Sequence, residues 1–176
     1  MTRKRARLGH LARRFFAMLW PKGPGDSDEA WVRTTLGPGE LELWGGMSRP
    51  DRRHAAGVAR RAQHQLGDSA TRPVLAAALL HDVGKVEARL GAFGRAAATV
   101  AAGLGARSRA DSWCSRRGIR GRFGRYLVHD RIGAELLADA GSDPLTVAWA
   151  AEHHLESSQW SLPAKLAHGL KEADDD

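Results

Sequence analysis

One histidine–aspartate pair in this sequence stands at the end of a long apolar run. Seven apolar residues, 74–80, precede His81 and Asp82 with no polar position among them, which predicts a helix buried on all sides. An imidazole and a carboxylate at the end of such a helix need a partner or a cation, because burying an unpaired charge is costly. The carbonyl groups at a helix C-terminus also favour a nearby cation. We therefore interpret His81 and Asp82 as candidate metal ligands.

Further residues of metal-binding type fall on apolar helix faces. His54, His153 and Asp174 each lie four and eight residues from apolar residues of their own segment, a spacing that places side chains on one face of a helix. His129 is the first residue of a segment that contains Leu136 and Leu137. These leucines are expected to face the core and to place the His129 end of the helix there as well. By contrast, His64 falls off the apolar stripe of its segment and is expected at the surface. Few cores bury this many histidines and aspartates without a cation, so the pattern predicts a metal site.

The types of ligand restrict the metal. Imidazole and carboxylate groups together suit iron, manganese, zinc, nickel or cobalt. The chain has a single cysteine, Cys114, which argues against a cysteine-ligated structural zinc site and excludes an internal disulfide. Packing, helped by bound metal, is therefore expected to hold the fold.

The elements that would position these residues are helices. Alternating β-branched or aromatic runs typical of strands are nearly absent, so the sequence predicts an all-α fold. Asp143 followed by Pro144 indicates a helix start, and Gly84 and Gly141 indicate helix stops. The predicted helices span residues 28–35, 38–46, 50–67, 72–83, 91–104, 122–140, 144–157 and 162–174.

Length and charge define the organisation of the chain. Its 176 residues, 43% apolar and 27% charged, suit one globular domain at 30–176 behind a basic tail and linker at 1–29. Residues 1–22 carry seven lysines and arginines and no acid, which accounts for the net charge of +7. This tail could contact a membrane surface or nucleic acid, or dock on its own domain. Without a secretory signal or an apolar span, we expect a cytoplasmic protein, at most peripheral to the membrane.

The order His…His-Asp…His…His-His…Asp resembles that of the HD-domain metal-dependent phosphohydrolase superfamily, in its two-metal form. Four segments carry the resemblance: LLHDVGK at 79–85, HDRIGAELL at 129–137, AEHHLE at 151–156 and LKEADDD at 170–176. The similarity extends over about residues 40–176. It implies an HD-domain helical bundle that binds two divalent transition-metal ions, with iron or manganese expected ahead of zinc, nickel or cobalt.

The resemblance also implies a role for each residue. The first ion would be held by His54, His81, Asp82 and Asp174. The second would share Asp82 and be held by His129 and His153, with His154 completing this site or contacting phosphate. Asp82 and Lys85 would be catalytic, and Lys85 would also position a phosphate group. A hydroxide activated by both ions would then hydrolyse a phosphate bond in a nucleotide-like or nucleic-acid substrate.

The segment between His81 and His129 is unusually basic. Arginine suits phosphate because its guanidinium forms paired hydrogen bonds, so we take Arg116, Arg117, Arg120 and Arg122 as candidate substrate-binding residues. Trp113 could stack on a base there or anchor the segment. A solvated or partly disordered basic loop is the alternative for the whole of residues 95–125.

Three other functions share this sequence pattern. The chain could be a non-catalytic HD module that binds metal or nucleotide for regulation. It could be an HD oxygenase with a di-iron centre, which the ligand set alone does not exclude. A helical nucleic-acid-binding protein with incidental histidines is the third. Neither the substrate nor the oligomeric state follows from the sequence.

Overall fold

The computed structural model describes residues 22–103 and 105–175, and within these ranges the chain forms helices and turns without a strand. The predicted all-α fold is thus confirmed for the part of the chain described. Ten α-helices lie in these ranges: α1 (Asp26–Thr35), α2 (Pro38–Gly46), α3 (Arg49–Leu66), α4 (Arg72–Leu80), α5 (Ala92–Gly103), α6 (Ala110–Cys114), α7 (Gly118–Leu127), α8 (His129–Asp139), α9 (Pro144–Glu152) and α10 (Ala164–Asp175). Short 3-10 helices span Gly67–Ser69, Val83–Ala88, Ala106–Arg109 and Ser157–Gln159.

The first helix begins inside the predicted linker, at Asp26. The contacts predicted for the basic tail fall on residues 1–21, which lie outside the described residues. The division of the chain at residue 30 therefore stays a prediction. Of the helices described, none combines the length and apolar character needed to cross a bilayer.

Helix α4 forms the centre of the main core. Every residue from Val74 to Leu80 is buried, as the apolar run predicts. Helices α3, α9 and α10 pack around α4, together with α1 and α2. Ala55, Ala59 and Ala62 of α3 have no exposed surface, and their small side chains allow neighbouring helices to approach closely. Because other helices surround α4, the residues at its C-terminal end lie in the interior of the molecule.

A smaller core lies under α5 and α7. Ala88, Leu90, Ala98 and Tyr126 are buried together, and Phe123 packs against them. Helix α7 also contacts the 3-10 helix that follows α4. The small core therefore adjoins the segment that carries Lys85.

A buried ion pair ties α5 to the start of α3. Nη1 of Arg95 lies 2.6 Å from both carboxylate oxygens of Asp51, and its Nε donates to the carbonyl of Leu90. Asp51 in turn accepts a hydrogen bond from Ser48, the N-cap residue of α3. Arg95, at the start of the basic segment 95–125, therefore has a structural role.

Two predicted helices differ most from the structure in their bounds. The helix expected at 122–140 is divided into α7 and α8 at Val128, whose φ of −119° and ψ of 26° leave the helical region. The helix expected at 144–157 ends at Glu152. There the carbonyl of Glu152 accepts from the Trp160 indole, and its carboxylate accepts from the backbone N–H of Ser161.

The basic segment is helical. Residues 106–127 form a 3-10 turn, α6 and α7, so the alternative of a solvated loop is wrong for this stretch. Gly124 explains how α7 packs on α6, because a Cβ at this position would lie 2.6 Å from the backbone nitrogen of Cys114. The two helices thus cross with their backbones in contact.

Candidate metal centre

The seven metal-type residues singled out in the sequence lie at the ends or on the inner faces of five helices. His54 lies on α3 and Asp174 on α10. His81 and Asp82 directly follow α4, and His129 is the first residue of α8. His153 and His154 directly follow α9. The structure brings all seven into two adjoining groups, namely His54, His81 and Asp174, and Asp82, His129, His153 and His154.

A contact between backbones sets Asp82 against α8. A Cβ on Gly84 would lie 2.0 Å from the carbonyl oxygen of His129 and 2.6 Å from the nitrogen of Gly133. Gly84 is thus required for close approach, and its predicted role as a helix stop is wrong, because α4 ends at Leu80. With α8 this close, Oδ1 of Asp82 lies 3.2 Å from Nε2 of His129.

Three histidines are oriented in the same way. Nδ1 of His81, His129 and His153 bonds to the backbone carbonyl three residues earlier, at 3.0, 2.7 and 2.9 Å respectively. A carbonyl can only accept, so Nδ1 carries the hydrogen, and the neutral ring keeps a lone pair on Nε2. Bonds of this kind orient imidazoles that ligate metals.

The Nε2 atoms of His81 and His153 are buried and lack a hydrogen-bond partner among the described residues. Both point at Asp82: Nε2 of His81 lies 3.4 Å from Oδ2, and Nε2 of His153 lies 3.8 Å from Oδ1. Buried polar atoms are rarely left without partners. A cation held between these nitrogens and the carboxylate would satisfy both, so the donor set fits a metal.

The two oxygens of Asp82 face different groups. Oδ1 faces His129 and His153, whereas Oδ2 faces His81. On the side of His81, Oδ1 of Asp174 lies 3.8 Å from the His81 ring nitrogen and 3.0 Å from Nε2 of His54. Asp82 therefore lies between the two groups, where one carboxylate can contact both.

A family model for the HD domain matches residues 53–176, which include all seven residues of both groups. The chain belongs to the HD domain family. No curated protein and no solved structure gives a significant match. HD domains bind divalent metal ions, and their family consists generally of metal-dependent phosphohydrolases.

The charges in this HD domain favour metal binding. Burial would raise the pKa of Asp82, but the Lys85 ammonium and His81 hold it well below its usual range. Burial and the neighbouring His81 lower the pKa of His153 to about 3. Burial of the ring nitrogens and the neighbouring His153 likewise lower the pKa of His154 to about 2. At neutral pH the carboxylate is ionised and both imidazoles are neutral, which are the protonation states that ligate metals.

His81 differs from the other histidines. Burial alone would lower its pKa, but Asp82, Asp174 and the bond to the Ala78 carbonyl together outweigh burial and raise it. A proton on its ring must leave before Nε2 can bind a metal ion. Protons therefore compete with metal at His81 up to a higher pH than at His153 and His154.

Lys85 lies against Asp82 in this HD domain. Its ammonium pairs with Oδ2, and its side chain is 14% exposed. Burial would lower the pKa of Lys85, but Asp82, Tyr126 and Asp51 together outweigh burial and raise it. Lys85 is therefore a fixed positive charge beside the candidate bridging carboxylate.

His154 is exposed as a whole residue, but its ring nitrogen reaches the partly buried site. Its Nε2 lies 3.3 Å from Nε2 of His129. By contrast, His64 is exposed on α3 outside both groups, as its helical phase predicts. Arg116, Arg117, Arg120 and Arg122 are also exposed, and within the described part of the chain none of them bonds to the seven residues.

Sequence reasoning did not identify the backbone groups that build the site. The carbonyl of Tyr126 accepts from His129, and the Tyr126 ring lies beside the imidazole with 5.6 Å between centroids. Gly84 and Gly133 supply the close contact between the 3-10 helix and α8. Each of these glycines follows a histidine–aspartate pair by two or three residues, which is the sequence feature that could have indicated this close contact.

Proposed function

We propose that this HD domain is a metal-dependent phosphohydrolase or phosphodiesterase. Its substrate would be a nucleotide-like molecule or a nucleic acid, in which it would hydrolyse a phosphoester or phosphoanhydride bond. The observation that supports the proposal is the position of Asp82, whose two oxygens face separate histidine groups. Each group has a buried ring nitrogen that lacks a hydrogen-bond partner within the described part of the chain.

The candidate ligands divide into two sets that share Asp82. His54, His81, Asp82 and Asp174 would hold one ion. Asp82, His129, His153 and His154 would hold the other. Divalent ions in this position supply Lewis acidity to a phosphoryl oxygen and lower the pKa of water. We expect iron or manganese, with zinc, nickel or cobalt able to use the same donors.

The residues of the chain would perform the remaining steps. The carbonyl bonds to Nδ1 hold the rings of His81, His129 and His153 before substrate arrives, so little reorientation is needed. The Lys85 ammonium would neutralise charge that develops on the phosphoryl oxygens. Asp82 stays ionised throughout because its pKa is held low.

Metal analysis and turnover test this proposal together. Purified protein should contain close to two transition-metal ions per chain and release phosphate or a nucleoside monophosphate from a nucleotide panel. Asp82→Asn should abolish hydrolysis and lower metal content, because it removes the shared carboxylate. His64→Gln is the matched control, since His64 is exposed outside both groups, and it should change neither.

Other outcomes would indicate other functions. Bound metal without turnover of any substrate would favour the non-catalytic regulatory module. Oxygen consumption without phosphate release would indicate a di-iron oxygenase. Chelation that leaves both fold and function unchanged would favour a nucleic-acid-binding protein with incidental histidines.

A further inference from the structure

A shallow groove of about 510 Å³ lies on α6 and α7, away from the seven metal-type residues. It is lined by Arg109, Trp113, Ile119, Arg120 and Phe123. No acidic side chain is part of this lining among the described residues. The groove thus combines apolar walls, which suit a flat ring, with guanidinium groups, which suit an anionic group of the same ligand.

The charge around the groove is strongly positive. Residues 109–125 contain six arginines and one acid, Asp111. The Asp111 carboxylate lies 2.6 Å from Nη2 of Arg131 and is therefore paired. Arg109 and Arg120 both line the groove and are exposed, and neither forms an ion pair within the described ranges. The other candidate arginines, Arg116, Arg117 and Arg122, are exposed in the same segment. Several guanidinium groups are thus available to an anionic ligand.

The apolar walls are held in place by the fold. Phe123 packs on the small core, and the backbone of Trp113 lies against Gly124, where a Cβ would be 2.7 Å from the Trp113 carbonyl carbon. Ile119 is 60% exposed at the edge of the groove. An aromatic wall fixed before binding costs little entropy when a flat ring stacks on it.

The groove and the metal centre are connected through α7. The helix carries Arg120 and Phe123 at the groove and ends near Tyr126, whose carbonyl bonds His129. Arg120 and Tyr126 are six residues apart, about 9 Å along a helix axis. Arg125, between them, donates to the carbonyl of Glu87 in the segment that carries Lys85. A ligand at the groove could therefore extend toward the metal centre along one helix.

We propose that this groove binds unpaired bases of a single-stranded nucleic acid while the surrounding arginines bind its phosphates. The inference rests on the proposed function, whose substrate class it narrows. A mononucleotide offers one base, whereas the groove has two aromatic residues, Trp113 and Phe123, and polyphosphate offers no ring for either. Bases within a duplex have their faces already stacked, whereas single-strand sites combine aromatic walls with positive charge.

Binding to a labelled 12-nucleotide single strand tests the inference, with fluorescence anisotropy of the full chain in chelator so that no cleavage occurs. Trp113→Leu should weaken binding about 5- to 100-fold, because it removes one stacking surface. Trp113→Phe should retain most of the affinity. Arg120→Gln should reduce the slope of log K against log salt by about 0.7, as expected for one lost phosphate contact.

Arg33→Gln is the matched control for charge, because Arg33 is exposed on α1 away from the groove. It should leave affinity and salt slope unchanged. The basic tail is the same in every variant, so its contribution cancels in these comparisons. Equal weakening by Arg33→Gln would show that binding is general charge attraction and would overturn the inference. Full competition by inorganic polyphosphate would also overturn the inference. So would a Trp113→Leu variant that loses binding to anionic phosphatidylserine vesicles but keeps binding to the strand.

The two proposals can fail separately. Hydrolysis of bis(p-nitrophenyl) phosphate, which is too small to need the groove, tests the metal centre alone. Asp82→Asn should abolish this hydrolysis and leave binding of the strand unchanged. Hydrolysis of the small ester with no effect of the groove variants on strand binding would reject the groove and keep the phosphohydrolase.

Discussion

Asp82 is the residue on which the site depends, because its carboxylate is ionised, buried and shared between histidines. In the absence of metal, the partner that makes this burial tolerable is the Lys85 ammonium. Removing one member of a buried ion pair leaves the other charge uncompensated, which is strongly destabilising.

Lys85→Met should therefore destabilise the metal-free protein by roughly 3–5 kcal/mol. Added divalent metal should restore part of this loss, since a cation can replace the ammonium beside Asp82. Urea denaturation with and without chelator measures both effects. Lys165→Met is the control, because Lys165 is exposed and donates a hydrogen bond to Ser69 on the surface, and it should change stability by less than about 0.5 kcal/mol. An equal loss in the two variants would contradict the role given to Lys85.

The low pKa of His153 predicts how the stability of the metal-free protein depends on pH. The pKa is about 3 in the folded state, against about 6.5 when unfolded. Between these values the unfolded chain binds more protons at this position, so His153 makes the free energy of unfolding fall as pH falls from about 6.5 to 3, by at most about 1.4 kcal/mol per pH unit. His154, whose pKa is lowered to about 2, adds a fall of the same sign over this window. His81 has a raised pKa, so its contribution is lost as pH rises above about 6.5, outside this window.

Denaturation at several pH values in chelator measures this slope. His153→Gln should reduce the slope below about pH 6.5 without removing it, because glutamine does not titrate and His154 remains. His64→Gln should leave the slope unchanged, since His64 is exposed. A wild-type stability independent of pH between about 4 and 6.5 would show that His153 is not buried in its neutral form.

At the scale of the elements, the contact of Gly84 with α8 determines where His129 meets Asp82. Gly84→Ala should displace α8, because the added Cβ would lie 2.0 Å from a backbone oxygen that cannot move alone. We expect a loss of stability and loss of metal from the group that contains His129. Metal analysis after dialysis and thermal unfolding measure the two effects.

Gly45→Ala is the matched control for this substitution. Gly45 lies inside α2, and its Cβ would meet nothing within 4 Å. This change should be neutral or stabilise the protein by up to about 1 kcal/mol. Full metal content in Gly84→Ala would show that the site does not need the contact between backbones.

The elements also show how far sequence reasoning reaches. The apolar run of α4 and the steps of four residues on α3 and α10 are local patterns, and they correctly place the residues from Val74 to Leu80, Val58 and Leu170 in the core. The break at Val128 was not predictable in this way, because the carbonyl of Tyr126 is bonded by the side chain of His129. The packing of α7 on α6 through Gly124 likewise depends on the backbone of Cys114, which the local spacing of apolar residues does not reveal.

His154 illustrates a limit of helical phase. A regular helix turns this residue about 100° from His153, which would separate the two rings. In the structure α9 ends at Glu152, so the two histidines lie in the turn beyond it. Their ring centroids are 3.9 Å apart, and both contribute to the group around His129.

At the scale of the whole molecule, the candidate ligands join helices that are otherwise separate in the chain. Metal bound by α3, α4, α8, α9 and α10 would stabilise the folded state only, and a ligand at 100 times its Kd adds about 2.7 kcal/mol. We expect the Tm to fall in chelator and to rise with metal concentration. Differential scanning calorimetry measures this shift. The same experiment on Asp82→Asn should show a much smaller response to metal.

The separation of His54 from Asp174, which is 120 residues, bears on how the site is assembled during synthesis. The group with Asp82 is complete in the chain once His154 has been made, whereas the group with His54 waits for Asp174, 20 residues later. At the usual 5–20 residues per second of translation, this interval is about 1–4 s. At this stage the nascent chain contains six of the seven donors, of which four form one complete group. The other group lacks only Asp174, so the two ions need not enter together.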